Sequence, residues 1–362
     1  MKKPSFIRNR RDIEAPTEWK WPDSEETFGY PAFFSGATGL SRLKIAHLRL
    51  PPGTRSHLPG AYRDEEEFFF VLEGAPDLWV DGHLHPLKEG DGVAINDNTG
   101  ISHVLINNTD REVRLFLFGE GTRMGSQFFH PLPSEAESNA RLKKMGKLWE
   151  NPPRRKLGPN SGKPGDLSGR KRARPEHVVH WQEIVEKKPS RYPKSTEDQT
   201  HPARFGRRAR FSRIGIHLDV LKPGRRTSWP HAERDEEEFV YVASGTPQAW
   251  TDGHITQLAE GDFVGWQAKT GITHVILNNS DADVVLLVGS EASRARNQFW
   301  YPFHPSQNKM VGPLYWADHP VPKLGPHDGM PDALRARVPA TKRKTAVMAN
   351  ETARNLKKKK RR

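Results

Sequence analysis

Histidine and glutamate residues at short spacing are the residues of this chain whose chemistry could serve a site. His231 and Glu233 stand two residues apart. Alternate residues of a β-strand share a face, so these two side chains can reach one centre together. The chain contains no cysteine, which excludes disulfides, thiolate metal ligands and cysteine nucleophiles. Any metal bound here must therefore use nitrogen and oxygen ligands.

The sequence around this pair occurs twice in the chain. Leu50–Asp110 and Leu221–Asp281 align without gaps at an offset of 171 residues, and 32 of the 61 aligned positions are identical. Unrelated segments of ordinary composition would agree at only about 4 of these positions. The chain is therefore an internal duplication, and its length of 362 residues fits two domains.

Each copy predicts short strands joined by tight turns. The pairs Asp81-Gly82 and Asp252-Gly253 stand between strand-like runs, where a hairpin turn takes positive φ. Proline-rich segments with Trp149 and Trp316 follow the two copies, and they predict extended arms that clamp a barrel or its neighbour. Many evenly spaced strands without intervening helices predict an all-β barrel or sandwich.

Composition shifts along the chain set the predicted domain boundaries. We expect a first domain, a basic linker rich in glycine and proline, a second domain and a basic disordered tail, over 1–150 (core about 40–130), 151–176, 177–331 (core about 212–302) and 332–362. The tail holds twelve Lys and Arg residues against two acids, so +10 of the net charge of +13 lies there. It predicts either a solvated disordered end or a nucleic-acid-binding segment that acts by counterion release.

Targeting and membrane signals are missing from the pattern. The longest apolar runs have the length of a strand, and none is long enough to span a bilayer. The first residues carry charge but no apolar stretch follows them, which argues against a secretory signal. We therefore expect a soluble, cytoplasmic protein that does not enter membranes.

The spacing of glycine, histidine, glutamate and asparagine in both copies resembles the two motifs of the cupin family. The second copy matches at Gly224, His231, Glu238, Gly245, Gly261, His274 and Asn278. It carries Glu233 where a second histidine is expected and Gln267 in place of a proline. The first copy matches at Gly53, Glu67, Gly74, Gly90, His103 and Asn107. The resemblance implies a bicupin, with two tandem jelly-roll (double-stranded β-helix) barrels, short helices and extended arms.

The same resemblance implies a metal site inside the second barrel. In the family the motif residues face the barrel interior and hold one divalent ion, so the predicted ligands are His231, Glu233, Glu238 and His274. Two imidazoles and two carboxylates favour Mn²⁺ or Fe²⁺, and Zn²⁺ is also possible. In the alternative interpretation, the histidines and glutamates form hydrogen-bonded pairs that only line a polar cavity.

The first barrel retains only part of this set. Gly60 and Tyr62 occupy the two histidine positions, which leaves Tyr62, Glu67 and His103 as a degenerate counterpart. A phenol must lose a proton with a pKa of about 10 before it binds most divalent ions well. We therefore predict one metal ion per chain, held in the second barrel.

Two other features of the copies receive a structural interpretation. His57 stands an odd number of residues from the motif positions, so its side chain should face away from the site unless Pro59-Gly60 bulges the strand. The acidic residues before the motif glutamates, Asp64–Glu66 and Asp235–Glu237, are typical of a solvated turn.

These observations predict a metal-binding bicupin that binds or transforms a small polar molecule, a sugar acid or another carboxylate, in its second barrel. If the protein is an enzyme, it is a metal-dependent isomerase, lyase or dioxygenase, with Glu233 or Glu238 as the base when that residue is not a ligand. It could also form a homo-oligomer. The alternatives are a non-catalytic ligand-binding or structural bicupin, and a nucleic-acid-associated protein that acts through its basic tail.

Overall fold

The computed structural model describes residues 3–20, 25–121, 126–292 and 296–337, which divide into two compact units. We call the described residues of 8–184 and 204–215 the first-barrel unit. The second-barrel unit comprises the described residues of 3–7, 185–203 and 216–337. The part of the predicted tail beyond residue 337 lies outside the described residues.

Short strands and shorter helices follow one another in both units. The strands are β1 (Ile7–Asn9), β2 (Tyr30–Phe33), β3 (Leu43–Leu50), β4 (Ala61–Tyr62), β5 (Glu67–Glu73), β6 (Asp77–Val80), β7 (His83–Pro86), β8 (Asp91–Ile95), β9 (His103–Ile106), β10 (Val113–Glu120), β11 (Phe128–Phe129), β12 (Val178–His180), β13 (His201–Ala203), β14 (Ile214–Leu221), β15 (Ala232–Glu233), β16 (Glu238–Ser244), β17 (Gln248–Thr251), β18 (His254–Gln257), β19 (Asp262–Trp266), β20 (His274–Leu277), β21 (Val284–Glu291) and β22 (Phe299–Trp300). The helices are α1 (Arg10–Ile13), α2 (Phe34–Thr38), α3 (Ala136–Lys144), α4 (Trp181–Ile184), α5 (Phe205–Ala209), α6 (Pro305–Met310) and α7 (Asp332–Arg337), with 3₁₀ turns at Pro133–Glu135 and Gly312–Leu314. None of these helices is long and apolar enough to cross a membrane.

Each unit builds its barrel from a large sheet, a three-stranded sheet and a two-stranded ribbon. In the first-barrel unit these are β12-β8-β5-β10-β3-β2, β7-β6-β9 and β11-β4. In the second-barrel unit they are β1-β19-β16-β21-β14-β13, β18-β17-β20 and β15-β22. The predicted all-β fold of two jelly-roll barrels with short helices is confirmed.

The barrel core follows from the two-residue period of the strands. Phe69 and Val71 of β5 point inward and meet Leu78 and Val80 of β6 from the facing sheet, and all four are buried. Trp79, between Leu78 and Val80, faces outward. It is nevertheless buried, because Leu132, Leu157 and the carbonyl oxygen of Asn160 cover it. The second-barrel unit repeats this arrangement around Trp250, whose indole N–H donates to the carbonyl of His327 at 2.8 Å. The extended arms therefore pack against their own barrels.

The predicted hairpin turns carry positive φ and receive the arms. Asp81 and Gly82 have φ of 46° and 83°, as a tight hairpin requires. The backbone N–H of Gly158, in the predicted linker, donates to the carbonyl of Asp81 at 2.7 Å. A Cβ atom on Gly82 would overlap the backbone of Gly158, so the turn needs glycine for this contact as well as for its φ.

The edge strands of the two large sheets are exchanged with respect to the repeat. β1 precedes the first copy by as many residues as β12 precedes the second, since Ile7 and Val178 differ by the same 171 residues. Yet β1 lies beside β19, while β12 lies beside β8 of the first-barrel unit. The two edges use matching hydrogen bonds, from Gly265 N–H to the carbonyl of Phe6 at 3.0 Å and from Ala94 N–H to the carbonyl of His177 at 2.9 Å. The segment 3–7, which the sequence assigned to the first domain, thus extends the second-barrel unit.

The interpretation of the acidic triplets as solvated turns is wrong for their later residues. Glu65 and Glu66 are buried, as is Glu237 of the second copy. The carboxylate of Glu66 accepts backbone N–H groups of Ser212 at 2.7 Å and Ile214 at 3.1 Å. Those donors come from a segment almost 150 residues later, which a local reading of the triplet cannot foresee.

Candidate metal centre

Three of the predicted ligands meet inside the second-barrel unit. Glu238 and His274 begin β16 and β20, and His231 directly precedes β15. The backbones of the two histidines pair, with N–H···O distances of 3.3 Å from His231 and 2.9 Å from His274. One ligand atom from each of the three side chains lies within 4.8 Å of the other two. Among the described residues this is the only group of three histidine or carboxylate side chains with that spacing.

Hydrogen bonds to backbone carbonyls orient both imidazoles. The Nδ1 atom of His231 lies 2.9 Å from the carbonyl oxygen of Trp229, and that of His274 lies 3.2 Å from the carbonyl oxygen of Ile272. A carbonyl only accepts, so each Nδ1 carries a hydrogen, and each Nε2 faces Glu238 as the ring nitrogen that a metal ion could bind. The Nε2 atoms lie 3.9 Å (His231) and 2.9 Å (His274) from the same oxygen of Glu238.

An aromatic ring stacks on each of the two imidazoles. Trp266 stacks on His274 with ring centroids 3.9 Å apart and planes 12° apart. Tyr301 stacks on His231 at 5.6 Å and 22°. The sequence interpretation missed both rings. Tyr301 lies beyond the aligned copies, and at Trp266 the first copy has Ile95, so the repeat itself gave no signal there.

Glu233 stands at the edge of this group. Its Oε1 atom lies 3.8 Å from Nε2 of His231, and its other oxygen accepts a hydrogen bond from the Asn297 side chain at 2.6 Å. Burial, followed by the charges of Glu238 and Glu236, raises the pKa of Glu233 well above its usual value. Burial also opposes ionisation of Glu238, but hydrogen bonding and charge from His274 outweigh it and lower the pKa of Glu238. The surroundings therefore favour the protonated form of Glu233 and the ionised form of Glu238.

The donor set fits a divalent cation. Two imidazole nitrogens and a carboxylate oxygen converge in a mostly buried place, with a second carboxyl beside them. A bound cation would offset the cost of burying that negative charge. Nitrogen and oxygen donors without thiolates suit Mn²⁺, Fe²⁺ or Zn²⁺.

The first-barrel unit has the same backbone frame with fewer donors. Gly60 pairs with His103 through backbone hydrogen bonds of 3.4 Å and 3.0 Å, as His231 pairs with His274. Glu67 approaches His103, with 3.3 Å between Oε2 and Nε2. The Tyr62 ring stacks on Phe128 at 5.2 Å, and burial raises the pKa of its hydroxyl well above the usual value. The degenerate counterpart therefore brings together one imidazole and one carboxylate.

The prediction that His57 faces away from this site is wrong. Its ring lies 5.6 Å from that of His103 and 6.2 Å from that of Phe69. Backbone bridges join Arg55 to Ile106 and Gly60 to His103, so five residue steps on one side oppose three on the other. Strand alternation does not hold across such an irregular segment, which is why counting odd and even positions fails.

Both barrels match the model of a known domain family. The cupin domain family matches residues 46–119 and 217–289, one match in each unit. The chain is a bicupin of the cupin superfamily. The resemblance seen in the motifs is thereby confirmed, although the bicupin matches no curated protein sequence.

Solved bicupin structures share the fold at low sequence identity. An oxalate decarboxylase–formate complex from Lactobacillus farciminis is 14% identical with a TM-score of 0.53, over 86% of this chain and 93% of that one. A Bacillus subtilis oxalate decarboxylase studied for its Mn(II) centres is 14% identical with a TM-score of 0.50, over 82% and 80%. A salicylate 1,2-dioxygenase from Pseudaminobacter salicylatoxidans is 15% identical with a TM-score of 0.50, over 72% and 75%. At these identities the likeness establishes a common fold.

Proposed function

We propose that the second barrel of this bicupin binds one divalent metal ion through His231, Glu238 and His274, and a small carboxylate through that ion. The observation that carries the proposal is the convergence of three ligand atoms within 4.8 Å, with both histidines already oriented by their Nδ1 hydrogen bonds. Mn²⁺ or Fe²⁺ fits the mixed nitrogen and oxygen set at least as well as Zn²⁺. The Mn(II) centres named for the Bacillus subtilis relative agree with this preference.

A carboxylate is the ligand class that such a site favours. A bound divalent ion supplies positive charge that attracts an anionic oxygen and polarises it. Oxalate and salicylate, named for the relatives, are both small carboxylates. A sugar acid belongs to the same class.

The protein groups around the ion have distinct tasks. His231 and His274 hold their ring planes against Tyr301 and Trp266, so the ligand atoms need little reorganisation. Glu233, held by Asn297, is the group that can give or take a proton beside the bound carboxylate. In an enzyme of the lyase, isomerase or dioxygenase type, Glu233 would be needed for turnover and less for binding.

Metal content tests the ligand assignment. We expect about one metal ion per chain in the wild-type protein, measured by elemental analysis after purification without chelator. His231→Ala and His274→Ala should each lose the metal, because two remaining donors seldom compete with water. His103→Ala, at the position matching His274, is the control and should retain one ion. A wild-type content of two, or loss of metal in His103→Ala alone, would place the working site in the other barrel.

Carboxylate binding tests the ligand class and separates catalysis from binding. Oxalate should raise the melting temperature of the metal-loaded protein and leave the chelated protein unchanged. Glu233→Gln should keep the metal and this thermal shift but lose turnover of any carboxylate that the wild type consumes. A wild type that binds carboxylates without consuming them would favour the non-catalytic bicupin instead.

The basic tail supports a second candidate function. Its +10 charge within 31 residues suits counterion release from a nucleic acid. Because the charge lies beyond the barrels, this function would be separable from the metal site by truncation.

A further inference from the structure

The first-barrel unit contains a cavity that the metal chemistry does not use. Its volume is about 680 Å³, within the range of small-molecule sites. The lining is mainly apolar and includes Trp19, Phe28, Leu40, Leu48, Phe69 and Phe128. Such a lining favours a ligand with large apolar surface.

His57 supplies a hydrogen-bond acceptor to this cavity. It belongs to the lining, and its Nδ1 lies 2.8 Å from the carbonyl oxygen of Leu58, so Nδ1 carries the hydrogen. Burial lowers the pKa of His57 to about 4, which leaves the ring neutral at neutral pH. Its Nε2 is therefore an acceptor, and this buried atom has no hydrogen-bond partner among the described residues. A buried acceptor without a partner destabilises the folded protein, and a ligand that donates a hydrogen bond to it would remove that cost.

The charges on the lining disfavour an anionic ligand. Lys44 lies 2.6 Å from Glu65, so its ammonium group already has a carboxylate partner. Glu67 also lines the cavity, and its Oε2 atom is buried and has no hydrogen-bond partner among the described residues. A carboxylate ligand would lie beside Glu67, whose basic neighbour His103 already pairs with it at 3.3 Å, whereas a hydroxyl group can donate to His57.

We propose that this cavity binds, without a metal ion, an uncharged and largely apolar molecule that carries a hydroxyl donor, such as an aromatic alcohol. The donor meets Nε2 of His57, and the rest of the molecule packs among the aromatic and aliphatic side chains. The first barrel is then a second ligand site of different chemistry. It does not depend on the metal site proposed for the second barrel.

The residues at the matching positions of the second barrel explain why the two sites differ. Ser228 stands where the first barrel has His57, and His231 stands at the position of Gly60. Gly60 lines the cavity and adds no side chain to it, which leaves room that an imidazole takes up in the second barrel. The first barrel therefore lacks a metal donor at Gly60, a position that lines its cavity.

Three matched probes test the ligand class on the full-length protein. We expect 2-naphthol, neutral at pH 7, to bind when titrated by calorimetry or by quenching of tryptophan fluorescence. Both 2-methoxynaphthalene, which has no donor, and 2-naphthoate, which is anionic, should bind about tenfold more weakly or worse, as the loss of one hydrogen bond to a buried acceptor predicts. Chelation should leave the binding of 2-naphthol unchanged. Tighter binding of 2-naphthoate, or loss of 2-naphthol binding on chelation, would overturn the proposal.

Two variants locate the site. Gly36 lies in α2, lines the cavity and is exposed, and a Cβ there would meet no atom within 4 Å. Gly36→Phe should therefore fold. Its phenyl ring would take space in the cavity, so 2-naphthol should lose apolar contacts with the lining and bind at least about tenfold more weakly. His57→Ser, which installs the second-barrel residue, should abolish the preference for 2-naphthol over 2-methoxynaphthalene, while Ser228→Ala should leave that preference unchanged.

The metal content of these variants separates the two proposals. Gly36→Phe and His57→Ser should retain as much metal as the wild type. Unchanged 2-naphthol affinity in Gly36→Phe would refute the cavity as the site even if His57→Ser failed to fold. Loss of metal in His231→Ala with 2-naphthol binding intact is the expected result for two independent sites.

Discussion

The two barrels share one backbone frame, and the side chains that build this frame are the same in both. In both, a buried arginine pairs with a glutamate 29 residues earlier and donates to a glycine carbonyl: Arg55 at 2.8 Å from Gly162 O, and Arg226 at 2.9 Å from Gly329 O. The motif asparagines, Asn107 and Asn278, act alike as well. Each amide bridges two backbone carbonyls, at 2.9 and 2.7 Å in the first barrel and at 2.8 Å twice in the second.

Among the positions that differ between the barrels, a few interior ones bear on what each barrel can bind. In the alignment, Gly60 matches His231, Tyr62 matches Glu233, and His57 matches Ser228. The residues that both copies keep build the frame, and those that differ decide whether it offers metal donors or an apolar cavity. Asn107, a motif residue that both copies keep, is a frame residue because its amide holds two backbone carbonyls.

Transplanting the second-barrel residues into the first barrel is the change with the largest expected effect. Glu67 and His103 already lie 3.3 Å apart, so the missing donors are those at 60 and 62. A Cβ on Gly60 would lie 3.3 Å from Nδ1 of His130, which tyrosine replaces in the second copy as Tyr301. Gly60→His combined with Tyr62→Glu and His130→Tyr should raise the metal content from about one to about two ions per chain, measured by elemental analysis.

The controls for this transplant isolate the donors. His130→Tyr alone should leave the content at about one. A folded triple variant that still holds one ion would show that the barrels differ in more than these side chains.

A buried histidine should make the first barrel the more acid-sensitive of the two. His47 is fully buried, whereas the matching residue of the second barrel is Leu218. Burial, with Arg10, Arg114 and Arg49 adding positive charge, lowers the pKa of His47 to about 3. When the pH falls from 7.5 to 5, His47 takes up a proton in the unfolded chain, where its pKa is about 6.5. In the folded chain it stays neutral, because its pKa there is about 3. The free energy of unfolding should therefore fall by about 2 kcal/mol from His47 alone.

Replacing this histidine by the second-barrel residue checks that contribution. Urea unfolding of His47→Leu and wild type, each at pH 7.5 and 5, should show a smaller loss of stability on acidification in the variant. Leu218→Ala is a control that should destabilise the protein without changing its pH dependence. An equal loss in His47→Leu and wild type would assign the acid sensitivity to other groups.

The smallest effect is expected from the part of the predicted tail beyond Arg337, while 332–337 form α7 of the second-barrel unit. Truncation after Arg337 should leave the melting temperature nearly unchanged, because so charged a segment has little apolar surface to contribute to a core. The same truncation should abolish any salt-sensitive binding of DNA or RNA, measured by fluorescence anisotropy at two salt concentrations. If truncated protein still bound nucleic acid with the same salt dependence, the basic site would have to lie in a barrel.

Sequence reasoning reached the features that repeat or alternate. The 171-residue offset predicted two equivalent barrels, and the motif spacing selected His231, Glu238 and His274, which the fold brings together. It failed at His57, because the backbone there does not keep the period of a strand. It also gave no sign of the cavity, whose size depends on how side chains from distant elements pack.

The exchanged edge strands lay beyond sequence reasoning for another physical reason. Edge pairing uses backbone N–H and carbonyl groups, which every residue except proline provides. Ile7 and Val178 are therefore equally able to extend either large sheet. The ion pair beside each edge is repeated as well, with Lys3 2.5 Å from Asp262 and Arg174 3.3 Å from Asp91, so these side chains do not distinguish the two sheets either.

That exchange has a consequence for the order in which the protein can be completed on the ribosome. β1 emerges roughly two hundred and fifty residues before its partner β19, as the separation of 259 between Lys3 and Asp262 illustrates. The first sheet, by contrast, gains β12 once residue 180 has emerged. β1 therefore meets its partner only after the residues of the first-barrel unit have emerged, so the second large sheet closes with a segment that was synthesised before the first barrel.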